Sequence, residues 1–367
     1  MITRTWTLAS LLLFCVGCGA PPPELPHSTE TVLSAGGFHV SAEPMIDIGG
    51  SVDGQPILTD VSDATRLANG LIAVADKFAD RIALFDSTGS LVRYLGRTGS
   101  GPGEFRGPEW VGECAPDTLT VYDAMASRLT TIDTAGRVIS QRPLTPRPTR
   151  IACNRGGMFV MIAAPSPSDD SDTHPMLKSA AVVLDRAGGL VGSLGDVPVG
   201  SSALLGASAV IAMSDSGIIY GSAEAPSLDL YTFAGAQHGT RDVGMPRRTP
   251  TAANVDGWVE SQIERVGRSA NDSIIRVMLR RFPTADLMPA YRSVHVDERQ
   301  NLWVVTSFRG DGFTELRVLP AHGGEPATLR FPSEVTVFEV RGGFLLGRTS
   351  DSTLVPRLVV YRAGSER

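Results

Sequence analysis

From about residue 38 onward the chain breaks into short apolar runs separated by polar punctuation, at a spacing too tight for helices. Ile72-Ala73-Val74-Ala75-Asp76 leads through Ala79-Asp80-Arg81 into Ile82-Ala83-Leu84-Phe85-Asp86 and then Ser87-Thr88-Gly89. The same order returns as Leu119-Thr120-Val121-Tyr122-Asp123, Ala126-Ser127-Arg128 and Leu129-Thr130-Thr131-Ile132-Asp133-Thr134-Ala135-Gly136. Val74/Val121, Asp76/Asp123, Ala79/Ala126, Arg81/Arg128, Asp86/Asp133 and Gly89/Gly136 match without a gap. The pattern predicts a strand, a tight turn, a second strand, a D-x-x-G turn and a third strand. The aspartate closes such a turn with its own side chain, and the glycine supplies the positive φ. Both faces of these strands are apolar, so a single unit cannot bury itself and must stack on neighbours. Radial stacking of small antiparallel sheets is a β-propeller.

Looser copies predict further units at 158–191, 211–243 and 293–329, and a last one at 335–362 that lacks an outer strand. Phe38 to Ile48 is strand-like with no unit of its own, so it should supply that strand and close the ring, removing the open edges. The expected fold is therefore all-β: a six-bladed propeller over 38–367, closed by an N-terminal strand. One stretch breaks the pattern. Between about 249 and 289, Trp258, Val259, Gln262, Ile263 and Val266 share a helical face, and Ser269 or Asn271 could cap a second helix reaching Arg281. This insertion is expected either as a helical flap over one end of the ring or as packing ornament.

The first residues differ in kind. A basic start is followed by an apolar run from Trp6 to Val16, too short to span about 30 Å of hydrocarbon. Residues 1–17 thus read as a secretory signal peptide, and no later apolar stretch approaches 18 residues. Cys15-Val16-Gly17-Cys18 resembles the lipobox of bacterial lipoproteins, with Cys15 where leucine is usual. The resemblance implies lipid attachment at Cys18 and a tether over 18–37. It also implies a bacterial envelope location, with the outer membrane favoured because Gly19 supplies no retention aspartate. The alternative is an ordinary secreted protein in which Cys18 is incidental. Leu95-Gly96-Arg97-Thr98-Gly99-Ser100-Gly101-Pro102-Gly103-Glu104-Phe105 is similar to the inter-blade signature of NHL-repeat propellers. The whole pattern resembles six-bladed propellers of exported or lipid-anchored bacterial proteins.

Composition narrows the partners. The chain has 367 residues, 33 basic against 39 acidic, and a net charge of −6, which argues against nucleic acid. The glycines of 96–103 lack the Gly-Lys-Ser/Thr of a phosphate loop, and no helix can follow them. Neither a Gly-x-Ser-x-Gly elbow nor a Ser-x-x-Lys pair is present, so no catalytic residues are expected. The six histidines are scattered, and His295-Val296-Asp297 reads as a turn-capping aspartate beside a satisfied histidine. Asp169-Asp170-Ser171-Asp172 has neither the glycine nor the terminal glutamate of a calcium loop. Lactonase-type propellers, the neighbouring resemblance, hold calcium in the central channel. Asp63, Glu113 and Asp297 are the weak candidates for that, and otherwise no cofactor is expected. Cys114 and Cys153 remain once Cys18 is set aside. In an oxidising compartment they suggest a disulfide, the alternative being two buried thiols. The expectation is a monomeric, membrane-anchored propeller that binds a protein or glycan partner, with a calcium-dependent hydrolase or lactonase as the alternative.

Overall fold

The computed structural model describes residues 32–52, 55–165, 177–201, 203–266, 272–331, 334–350 and 355–365. The signal and Cys18, the 169–172 loop and the cap candidates Ser269 and Asn271 lie outside these residues. Six antiparallel sheets form around one axis. Blades 1 to 5 span 61–95, 108–143, 148–200, 210–242 and 293–331, each a four-stranded meander. Blade 6 takes three strands from 336–365. The inner strands are Val61–Arg66, Pro108–Ala115, Pro148–Cys153, Val210–Met213, Ser293–Val296 and Thr336–Arg341. Each touches the next, and the sixth touches the first, so the ring is closed.

The repeated residues have structural duties. Gly89, Gly136 and Gly188 hold φ of 87°, 88° and 90°, which an L side chain resists, and Asp86 accepts the Thr88 and Ser90 N–H groups at 2.8 and 3.0 Å. Asp76, fully buried, accepts Thr59 N, Asp60 N and Arg81 Nε, each at 2.9 Å. Asp123 accepts Arg106 N at 2.9 Å and Ala126 N at 3.1 Å, with the Arg128 guanidinium 3.7 Å away. In both blades the aspartate at the end of the second strand ties the incoming loop to the arginine that opens the third. The Gly96–Phe105 segment is the turn from blade 1 to blade 2. Glu104 accepts Gly101 N at 2.8 Å and Arg97 Nε at 2.9 Å, occupying with its own carboxylate the place where a phosphate loop would hold its ligand.

Closure comes from the N-terminus. Three strands, β1 (Val32–Ala35), β2 (Phe38–Ser41) and β3 (Ile46–Ile48), reach the last strand of the chain, Pro356–Ser365. β3 pairs with it through Ile46↔Val360 and Ile48↔Leu358, and β2 through Phe38↔Ser365 and Val40↔Ala363. β1 pairs with β2. Phe38 and Val40 are buried among Trp303, Leu329, Phe331 and Tyr361, with the Phe38 and Trp303 rings edge-on at 5.8 Å. Each such buried side chain contributes about 1.5–3 kcal/mol, so this strand pair fastens blade 5 to blade 6 as well as completing the latter.

The insertion contains α1 (Ala252–Val266) and α2 (Asp272–Leu279). Val259 and Ile263 are fully buried, as their shared face predicts, and Trp258 packs with Leu205, Met288 and Phe308. Asn254 Nδ2 donates to Asp311 at 2.8 Å. No helix among the described residues is long and apolar enough to cross a membrane.

Candidate functional site

The six inner strands enclose an axial cavity of about 720 Å³ to which every blade contributes. This lies within the roughly 300–1,000 Å³ of small-molecule sites. Since each inner strand opens its own meander, all six run in the same sense, and the cavity has a first mouth where they begin and a second where they end. The insertion joins blade 4 to the start of blade 5 and so belongs to the first mouth. Neither of its helices lines the cavity.

Three wall groups stand out. Asp63 accepts Val111 N at 3.0 Å, and burial pushes its carboxyl pKa up to about 8, with nearby Glu339 adding to the rise. His295 has Nε2 3.0 Å from Ser293 Oγ, and burial pushes it down to about 4 despite a hydrogen bond to the Phe338 backbone. Both are therefore uncharged near neutrality. Arg292 immediately precedes the inner strand of blade 5, its backbone N donating to Val305 O at 2.8 Å. Burial first, then the charge of Arg309, lowers it to about 10, so it stays cationic. Perturbed groups lining one cavity are the physical mark of a functional site.

A backbone irregularity places some of them. In blades 1, 2 and 3 the inner strand carries a β-bulge next to its first pair, Val61↔Asp76, Pro108↔Asp123 and Pro148↔Ala163. The residue after the bulge is Asp63, Trp110 and Arg150 respectively, and all three line the cavity. A bulge breaks the two-residue period and re-aims the side chain that follows it. Blades 4 and 5 have unbroken register there.

The three carboxylates considered for calcium do not come together. Asp63 and Glu113 are on the cavity wall, but Glu113 accepts Arg155 Nε at 2.5 Å and Ala68 N at 3.1 Å. Asp297 lies beyond the last residue of its inner strand, at the second mouth. Its oxygens accept Arg299 N, Asn301 N, Asn301 Nδ2 and Trp303 Nε1, all within 3.0 Å. Asp297 is thus a turn residue, and the structure does not bring the three carboxylates together as a site: Glu113 and Asp297 are each committed to cations or N–H donors. Among the described residues no group of three His, Cys, Asp or Glu side chains is placed to hold a metal.

Cys114 and Cys153 are bridged, with Cα atoms 5.5 Å apart, linking the ends of the inner strands of blades 2 and 3. Gly112 makes room for this: a Cβ there would stand 2.8 Å from the Trp110 ring and 3.2 Å from Cys153 Sγ. Arg292, Arg150 and the cavity position of His295 were not singled out from the sequence. They belong to no repeat and no motif; a bulge places Arg150, and only the closing of the ring brings all three to the same channel.

No protein-family model matches the chain, and no curated protein sequence matches it significantly. Solved structures do. A Bacteroides fragilis protein assigned as exported superposes with a TM-score of 0.56 at 12% identity, over 91% of this chain and 97% of that one. A member of the DUF4221 family from Bacteroides vulgatus gives 0.50 at 10% identity, over 89% and 99%. Virginiamycin B lyase from Staphylococcus aureus gives 0.45 at 10%, over 91% and 94%. At these identities the likeness establishes the six-bladed propeller fold, an architecture that this chain shares with a protein assigned as exported.

Proposed function

We propose that this chain is a cell-envelope binding protein, held at a membrane through a lipidated Cys18, that takes a polar ligand at the first mouth of its axial channel. The ligand would be a small molecule or the terminal group of a glycan or protein partner. The observation that carries this reading is the channel itself: about 720 Å³, walled by all six blades, and lined by titratable groups that the fold does not need. The buried carboxylates that hold the ring together are hydrogen-bonded to saturation. Asp63, His295 and Arg292 are not, and fold stability gives no reason to keep them. The anchor rests on the lipobox resemblance and the export reading on the apolar leader.

Two measurements test the reading. Native mass spectrometry of the protein after exposure to envelope extract should show a bound species that Thr336→Trp, which fills the mouth, excludes while melting like wild type. Finding no retained species, or the same one in the blocked variant, overturns it. Cys18→Ser should leave the protein folded and release it from membranes; a variant that stays with membranes after a high-salt wash overturns the anchor.

A second reading has an observation of its own. A neutral carboxyl and a neutral imidazole lining one channel are a proton donor and a proton acceptor at pH 7, the equipment of acid–base chemistry. A ligand returned with altered mass, unaltered when Asp63→Asn is used, would make the protein an enzyme.

A further inference from the structure

We propose that Arg292 and Arg348 form an oxyanion subsite at the first mouth of the channel, so that the ligand enters with a phosphate, sulfate or carboxylate group leading. This inference rests on the channel being the ligand site and names the chemistry of what it takes.

Among the described residues, Arg248, Arg292, Arg309 and Arg348 gather at this rim with the carboxylates of Asp60, Asp311, Glu315 and Glu334. Arg248 pairs with Asp311 at 2.8 Å, Arg309 with Glu334 at 3.7 Å, and Arg348 lies 3.6 Å from Asp60 while donating to Val61 O at 2.9 Å. The carboxylates have little left to offer. Glu334 also accepts Gly310 N and Gly312 N, both at 2.7 Å. Asp311 also accepts Phe308 N at 2.9 Å and Asn254 Nδ2 at 2.8 Å. Among the described residues the Arg292 guanidinium has no hydrogen bond and no ion pair. It feels the charges of two other arginines, Arg309 and Arg348, with Glu334 and Asp311 partly offsetting them.

A desolvated guanidinium without an ion-pair partner is costly to keep in the fold. It is a poor device for stability and a good one for capture. Low-dielectric walls concentrate its field on the opening, and its planar fork matches two oxygens of one anion. The fold also holds it firmly. The insertion ends in the buried run Met288, Ala290 and Tyr291, fastened by Met288 N to Arg248 O at 2.7 Å, Ala290 N to Ala223 O at 3.0 Å and Tyr291 Oη to Ser227 O at 2.7 Å. The next residue is Arg292. The insertion thereby serves the site from a distance, because its helices stay off the channel while its C-terminal end sets the cation at the rim. The hydroxyls beside this arginine are already committed, Thr306 Oγ1 to Glu315 and Ser307 Oγ as acceptor from Glu315 N, so the anion is held by charge rather than by a hydroxyl nest.

The test uses the whole mature protein and simple anions as probes. Inorganic phosphate, sulfate and acetate are titrated at constant ionic strength, with melting temperature and calorimetric heat as readouts. At least one should bind saturably. Arg292→Met should weaken that binding at least tenfold while melting no lower than wild type in anion-free buffer, since it removes an unpaired charge. Arg292→Lys should bind with intermediate strength, because it keeps the charge and loses the fork. No saturable binding of any of the three anions, or equal binding by wild type and Arg292→Met, overturns the proposal. If Arg292→Met does not fold, Arg292→Lys alone decides: binding undiminished by the loss of the fork overturns it. This outcome is separable from the broader reading. A channel that retains an envelope ligand yet ignores these anions leaves the binding function standing and removes the oxyanion subsite.

Discussion

Blade 1 carries two carboxylates on adjacent strands, with opposite fates. Asp76 is fully inaccessible, and two backbone N–H groups, the Thr59 hydroxyl and the Arg81 guanidinium surround it. Asp63, paired across the strands with the neighbouring Ala75, lines the channel, accepts one hydrogen bond from Val111 and is driven toward protonation. The contrast runs through the whole ring. Carboxylates in the loops between strands are saturated and recur from blade to blade. Asp63, His295 and Arg292 at the channel are under-satisfied, and each occurs in a single blade. Repetition marks what every blade needs in order to stack; departures from it, at equivalent places on the wall, mark what the ring is used for.

Breaking a saturated strut should have the largest effect. Asp76→Ala orphans two backbone N–H groups, that of Asp60 buried, and leaves Arg81 without its carboxylate partner, a loss on the order of 3–5 kcal/mol. Asp123→Ala should cost a similar amount, because it removes the matching strut in blade 2. Urea unfolding measures both, and losses below about 1 kcal/mol would deny the strut role. The Cys114–Cys153 bridge, 39 residues apart in sequence, comes next. Replacing both by serine should cost about 2–4 kcal/mol through the entropy of the unfolded chain, with ligand binding kept. Two free thiols in the mature, exported protein would remove the basis of this expectation.

The wall groups should behave in the opposite way. Asp63 has a folded pKa of about 8, above its unfolded value of 3.8, so its stabilising contribution is full below pH 3.8 and is lost as pH rises through 8. Between pH 6 and 8 the wild type should therefore lose about 2 kcal/mol that Asp63→Asn does not lose. His295 has the reverse sign. Its folded pKa of about 4 lies below 6.5, so its contribution is present above pH 6.5 and lost as pH falls through 4. His295→Gln should flatten the acid limb of the stability curve without touching the alkaline one. Parallel pH profiles for wild type and either variant would show that the group is not desolvated. Arg292→Met should have the smallest effect on stability, under about 1 kcal/mol and toward greater stability, because it removes a charge that the fold leaves unpaired. A loss above that would place Arg292 among the struts.

Much of the scaffold could be read directly from the chain. The Asp-Arg and D-x-x-G pairs occur in order because each is local: its partners lie within a few residues or one strand away, so spacing alone encodes the contact. The orphan strand at 38–48 was legible for a related reason, since a unit lacking an outer strand needs one from elsewhere. Its pairing to Pro356–Ser365 is what the ring requires. The helical face of 258–266 was legible through Val259 and Ile263, both fully buried, and neither helix of the insertion lines the channel. Where the three candidate carboxylates sit was not legible, because sequence position says nothing about height along the channel. Asp297 lies past the end of its inner strand, while Asp63 sits near the start of its own.

What the sequence determined by itself is the blade: strands, turns and struts whose energetics are settled among residues close along the chain. What only the tertiary structure decided is the channel. Its wall gathers one edge from each of six sheets spread over some 280 residues between Val61 and Arg341, and no local rule relates Arg292 to Arg348 or Asp63 to Glu339. Bulges in the inner strands of blades 1, 2, 3 and 6 also shift the residues that follow them out of the two-residue period by which a strand's faces are read. Burial then does the rest. The same aspartate that would be an ordinary anion on an exposed strand becomes a neutral acid on this wall, because desolvation belongs to the closed ring and to no segment of it.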